Sequence, residues 1–168
     1  NPKNIAVLNG GGKNSLGEWI VDDKNIDIVS FTGSFEVGQE IAGKCSTLFK
    51  RYSLELGGKN AIILDKDLNL DNALNYVIQS SFSLSGQRCS AASKIFIHEE
   101  IYENFLQKLI SNIKNGIKKN DITFTCPLIT KDSEERIFSK LNKISKENKI
   151  TFERPTSVSK ESYYIEPT

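Results

Sequence analysis

Apolar residues change their spacing several times along the chain, and each change marks an element. Ile5-Ala6-Val7-Leu8 is an unbroken apolar run stopped by Asn9-Gly10-Gly11-Gly12, which predicts a strand entering a tight turn. Leu16 to Val21 predicts a short helix with Leu16, Trp19 and Ile20 on one side. Ile26 to Phe31 is a β-branched run ended by Thr32-Gly33-Ser34. Val37, Ile41 and Cys45 then recur at every fourth position, with Ala42 alongside, as one helix face requires. Tyr52 to Leu56 predicts another strand, stopped by Gly57-Gly58. Such alternation favours an open, mostly parallel α/β sheet. Its strand-to-helix turns share one edge, where these sheets bind ligands.

After Gly58 the pattern restarts. Asn60 to Leu64 predicts a strand, Asp71 a cap, and Ala73, Leu74, Val77 and Ile78 the helix behind it. Ser85-Gly86-Gln87 reads as loop and Lys94 to His98 as strand. The plainest helix follows, with Ile101, Phe105, Leu109 and Ile113 at i+4 steps. A last helix holds Ile137, Leu141 and Ile144, and the tail from Glu153 onward is polar.

Composition narrows the class. Of 168 residues 38% are hydrophobic and 26% charged, with a net charge of +1, enough for one sizeable core or parts of two domains. That balance argues against a dedicated nucleic-acid or membrane-surface protein. No apolar run approaches the roughly 20 residues that cross a bilayer. The first residues have no signal-peptide pattern. The chain contains no Met, even at its start, and is read as a piece of a longer protein. Three cysteines, at 45, 89 and 126, form neither a disulfide framework nor, with the single His98, a metal site. A cytoplasmic setting is the default expectation. His98 closes an apolar run and is expected at a strand end.

Several motifs fail on inspection. Gly10 to Lys13 imitates the end of a P-loop, but Val7 and Asn14 stand where Gly and Ser or Thr are needed. Asp65, Asp67, Asn69 and Asp71 imitate a calcium loop, but Leu70 and Tyr76 replace its Gly and Glu. Gly33 to Gly38 is no G-x-G-x-x-G, because Phe35 fills the middle position. Its setting survives: a strand ends and a Gly-Ser pair opens a helix. Ser34 is there either a simple cap or part of a phosphate site at the helix N-terminus. Cys89, beside Arg88 in a loop, is either an ordinary buried cysteine or a nucleophile of lowered pKa. Glu55, between Leu54 and Leu56, is either turned to solvent by strand alternation or a partly buried base.

Together these pieces resemble the aldehyde dehydrogenase superfamily. Phe31-Thr32-Gly33-Ser34 with Glu36-Val37-Gly38 is similar to its coenzyme-binding turn and helix, and Leu54-Glu55-Leu56-Gly57-Gly58-Lys59-Asn60 to its glutamate signature. Phe82 to Cys89, ending in Gly86-Gln87-Arg88-Cys89, is similar to its cysteine signature, and 34 positions separate Glu55 from Cys89, as in typical members. The likeness runs nearly end to end and weakens beyond residue 118. There Cys126-Pro127-Leu128-Ile129 stands where Gly-Pro-Leu-Ile is usual, and Phe35 replaces a usually small residue.

The resemblance implies part of a Rossmann-like NAD(P)-binding domain over 1–57 and the start of an α/β catalytic domain over 58–168. It implies Cys89 as nucleophile and Glu55 as general base. NAD or NADP would be held by Gly33, Ser34, Phe35, Glu36, Val37 and Gly38, and by Leu56 on the glutamate strand. The reaction implied is oxidation of a small-molecule aldehyde to a carboxylic acid through a thiohemiacetal and a thioester. A homo-oligomeric parent is expected, with the 168-residue piece inactive alone. Two alternatives remain: a catalytically silent structural or binding relative, and a cysteine hydrolase, for which His98 would have to serve as base.

Overall fold

Two parallel strand pairs, each with a helix between its strands, organise the chain. The computed structural model describes residues 4–118, 126–148, 163 and 165. It divides into two compact units, Asn1–Gly57 and Gly58–Thr168.

The first unit contains α1 (Leu16–Asp22), β1 (Ile28–Gly33), α2 (Phe35–Thr47) and β2 (Arg51–Leu56). β1 and β2 run parallel, from Ile28 opposite Arg51 to Gly33 opposite Leu56. The fourfold spacing of α2 turns Ile41 and Cys45 inward to join Val21 and Val29, with Phe31 and Leu54 against them. Cys45 is wholly buried and behaves as a small apolar side chain. The ammonium of Lys44 joins α1 to α2, 2.7 Å from Glu18 and 2.8 Å from Asp22. Its bond to Asp22, then that to Glu18, raises the Lys44 pKa, and the same ammonium is the main cause that lowers that of Glu18.

α2 closes with a reversal in which the Lys50 amide bonds the Cys45 carbonyl and the Phe49 amide that of Ser46. Phe49 occupies the left-handed position, φ 54°, that glycine usually fills in this motif. The predicted strand at Ile5 to Leu8 is not formed. A strand exists through its ladder, β1 has only β2 beside it among the described residues, and Ile5, Val7 and Leu8 are exposed.

The second unit contains β3 (Asn60–Leu64), α3 (Leu70–Phe82), β4 (Ala92–Ile97), α4 (Glu99–Lys118) and α5 (Lys131–Asn148). β3 and β4 are parallel, with a bulge where Asn60 faces Ala92 but Ala61 faces Lys94. Asn69, not Asp71, caps α3, its side chain accepting from the Asn72 amide at 3.0 Å. Asp71 sits in the first turn and meets Lys108 of α4 instead, at 2.8 Å. The polar tail predicted from Glu153 lies outside the described residues apart from Tyr163 and Ile165.

Leu64, Ala73, Leu74, Val77, Ile78, Phe105 and Leu109 form the core of this unit. Phe105 is fully buried between α3 and the sheet residues. Phe105→Ala is expected to destabilise the unit by about 3–5 kcal/mol, the usual cost of deleting a buried ring. Urea unfolding followed by hydrogen exchange in α3 checks this; a loss under about 1 kcal/mol would mean that the site is not a packed core.

Candidate active site

In the first unit, the residues of interest gather at the carboxyl ends of the two strands. β1 ends at Gly33, and Ser34 caps α2, its hydroxyl accepting from the Val37 amide at 3.3 Å. The Gly38 amide bonds the Ser34 carbonyl at 3.0 Å. A Cβ on Gly38 would lie 2.6 Å from Cδ2 of Leu56, so glycine there lets the helix settle on the end of β2. At Gly33 a Cβ would fall 2.4 Å from the Phe31 ring. These contacts bring Gly33, Ser34, Phe35, Glu36, Val37, Gly38 and Leu56 to one corner. The positive end of the α2 dipole lies there too.

Glu55 stands in register with Thr32, one place from that turn. Leu54 and Leu56 are half-buried while Glu55 is exposed, so within this unit alternation sends the carboxylate outward. Within this unit the carboxylate is therefore open to water.

Beside the corner, α1, β1 and α2 enclose a cleft of about 350 Å³. Gly12, Gly17, Val21, Phe31, Val37 and Ile41 line most of it, together with the charged Glu18 and Lys44. A Cβ on Gly17 would come within 3.1 Å of the Gly12 backbone, so glycine at 17 lets the start of α1 close on the preceding loop. The sequence reading missed this cleft. Its only signal was the glycine run before α1, which was weighed as a failed P-loop. A larger depression of about 690 Å³ lies at the other end of the strands, among Asp22, Lys24, Ile28, Phe49, Lys50 and Arg51. The Lys50 ammonium is already bonded there to the Val21 and Asp23 carbonyls, and none of the signature glycines reaches it.

Cys89 belongs to the second unit and is exposed. The loop before it is a short 3-10 turn, Ser83–Gly86, in which Leu84, Ser85 and Gly86 all have positive φ, at 55°, 55° and 70°. For Leu84 and Ser85 that conformation costs about 1–2 kcal/mol each, so it must be held from outside. The Ser85 hydroxyl does so, accepting from the Cys126 amide at 2.8 Å and donating to its carbonyl at 2.9 Å. Gln87 donates to the Pro127 carbonyl at 3.3 Å. Arg88 closes α3, its guanidinium donating to the carbonyls of Gln79 and Ser80 at 2.6 and 3.2 Å. Arg88 therefore terminates a helix, a role its place beside the cysteine did not reveal.

His98 accepts the Glu100 amide on Nδ1 at 3.3 Å and so caps the start of α4. The length of β4, about 20 Å at the usual rise per residue, separates it from the Cys89 loop. That removes His98 as the base of a cysteine hydrolase. Among the described residues no group of His, Cys, Asp and Glu could hold a metal ion, and no helix is long and apolar enough to cross a membrane.

The profile of the aldehyde dehydrogenase family matches residues 1–168. The 1-pyrroline-5-carboxylate dehydrogenase of Staphylococcus saprophyticus is 32% identical over 99% of the chain, which covers 34% of that protein. The chain thus spans about a third of the length of the curated relatives it matches. An aldehyde dehydrogenase of Bacillus cereus, solved with NAD+, superposes with a TM-score of 0.78 at 31% identity, over 90% of this chain and 31% of that one. Proline utilization A of Bdellovibrio bacteriovorus, inactivated by N-propargylglycine, gives 0.74 at 35% identity, over 81% of this chain and 15% of that one. With α/β units, a capped helix behind a Gly-Ser turn, and an exposed cysteine in a braced loop, the chain belongs to the aldehyde dehydrogenase family.

Proposed function

We propose that the whole protein oxidises a small aldehyde to a carboxylic acid with NAD or NADP, using Cys89 as nucleophile and Glu55 as base. The observation that carries this reading is the Cys89 loop: an exposed thiol on a backbone braced by the side chains of Ser85 and Arg88. A cysteine kept only for packing would be inside, as Cys45 is.

The residues present fit the coenzyme. Residues 1–57 serve as part of its binding domain and 58–168 as the start of the catalytic domain. The Ser34 turn and the first turn of α2 suit a pyrophosphate, and the apolar cleft beside them, at the small end of ligand pockets, suits the adenosine half. The Bacillus cereus relative, solved with NAD+, supports a nicotinamide coenzyme. NAD or NADP, when bound, supplies the hydride acceptor.

The Cys89 thiolate adds to the aldehyde carbon, forming a C–S bond and leaving the former carbonyl oxygen negative. The Cys89 amide is one donor to that oxyanion. Loss of hydride from the same carbon leaves a thioester on Cys89. Glu55 then takes a proton from water, the hydroxide attacks the thioester, and the C–S bond breaks to release the acid and restore the thiolate. Three cysteines without a disulfide suit a reducing compartment, and we place the protein in the cytoplasm on that ground. A homo-oligomer is the expected assembly.

The test is formation of NADH or NADPH by the full-length protein with a panel of aldehydes and with 1-pyrroline-5-carboxylate, a cyclic imine that water opens to an aldehyde. Turnover with at least one of them is expected; reduction of neither coenzyme across the panel would favour the silent relative. Ser34→Ala removes the cap and is expected to weaken coenzyme binding about tenfold, one hydrogen bond's worth, and to cost about 1 kcal/mol of stability. Calorimetric titration with NAD and NADP checks the first figure; an unchanged Kd would move the pyrophosphate away from Ser34.

A further inference from the structure

We propose that Asn60 is a positioning residue for Cys89, its side-chain amide holding the backbone that aims the nucleophile. The proposal rests on the reading of Cys89 given above. The two hydrogens of the Asn60 amide go to the Cys89 carbonyl at 2.8 Å and the Ala91 carbonyl at 3.3 Å. They fix two carbonyls on the carboxyl side of the thiol, whereas Arg88 and Ser85 brace only the amino side. Cys89 is thereby restrained from both directions, which sets the direction of its side chain and of the amide proposed to meet the oxyanion.

Three features of the second unit make room for this contact. Asn60 is the first residue of β3, where the bulge opposite it interrupts the ladder to β4, so its side chain can turn into the loop. Gly58 lies against the bond, and a Cβ there would sit 3.3 Å from Nδ2 of Asn60 and 3.4 Å from the Cys89 oxygen. The Ala91 amide folds back on the Arg88 carbonyl at 3.2 Å, which brings both acceptors within reach of one amide. Serine would be too short to span them, and aspartate has no hydrogen to give.

The test uses the full-length protein and follows the first-turnover burst of reduced coenzyme. Asn60→Asp keeps the volume and removes both donors. It should slow the burst about 10- to 100-fold, the scale of a misaimed reacting group, while leaving the Kd for coenzyme unchanged. Gly58→Ala presses on the same contact without removing a polar atom and should slow the burst in the same sense; it decides the matter if the first variant does not fold. A wild-type burst in both variants, with Cys89→Ala inert, would overturn the positioning role and leave the nucleophile assignment intact. Normal turnover by Cys89→Ala would remove both. A slowed burst accompanied by an equal weakening of coenzyme binding would mark general disturbance of the fold and overturn the proposal.

Discussion

Cys89→Ala in the full-length protein is expected to lower aldehyde-dependent coenzyme reduction by about a million-fold, the scale on which an enzyme loses a covalent step. Among the described cysteines Cys45 is buried and Cys126 is half-buried, so Cys89 is the one exposed thiol. The substitution deletes one exposed sulfur and leaves the backbone bonds of Asn60 and Arg88 untouched, so thermal stability should stay within a degree or two of wild type. Coenzyme binding should also persist, because its proposed contacts lie in residues 1–57. A variant that binds coenzyme, melts normally and reduces none of it isolates the chemistry. Retention of even a tenth of the activity would rule out a thiohemiacetal on this residue.

Glu55→Gln should separate the two halves of the reaction. The amide matches the carboxylate in shape but cannot accept a proton from water. Acylation and the first release of reduced coenzyme are expected to proceed at the wild-type rate, after which turnover falls by about 10²- to 10⁴-fold, the contribution of a general base. Rapid mixing would record one equivalent of reduced coenzyme followed by a near halt. Intact mass spectrometry should find the acyl group on Cys89. If the burst itself disappears, Glu55 acts before the thioester forms, and the hydrolytic role passes elsewhere.

Elements with strong periodicity were legible in the sequence because one packed face dictates them. α2 and α4 follow their apolar spacing, the strands at Arg51–Leu56 and Asn60–Leu64 lie where the runs predict, and that at Ile28–Gly33 is shifted two residues on, taking in Thr32 and Gly33. Residues 5–8 had the same local pattern and no ladder partner among the described residues, information that no window of eight residues contains. The cap of α3 fell two residues from its expected place because Asn and Asp alternate there, and only the Asn72 contact distinguishes them.

The site was partly legible. The Gly33-Ser34 turn was readable because a strand, a small pair and a helix follow one another directly. The edge rule for parallel sheets then locates the turn and Glu55 at the carboxyl ends of β1 and β2. Cys89 does not follow that rule within its own unit: its loop leads into the amino end of β4, beside the amino end of β3. Two of the contacts that hold it join residues 29 and 41 positions apart, Asn60 to Cys89 and Ser85 to Cys126. Motif matching fixes which residues are present, but these bonds become visible only in three dimensions.

The left-handed run at Leu84 to Gly86 has a consequence for how the chain matures. Its restraint comes from Cys126 and Pro127, so a ribosome that has just released Cys89 has not yet supplied the clamp. Until those later residues emerge, the turn should relax toward the ordinary right-handed basin and the thiol should wander. For the same reason, grafting residues 82–89 into another scaffold would transplant the letters of the motif without its shape.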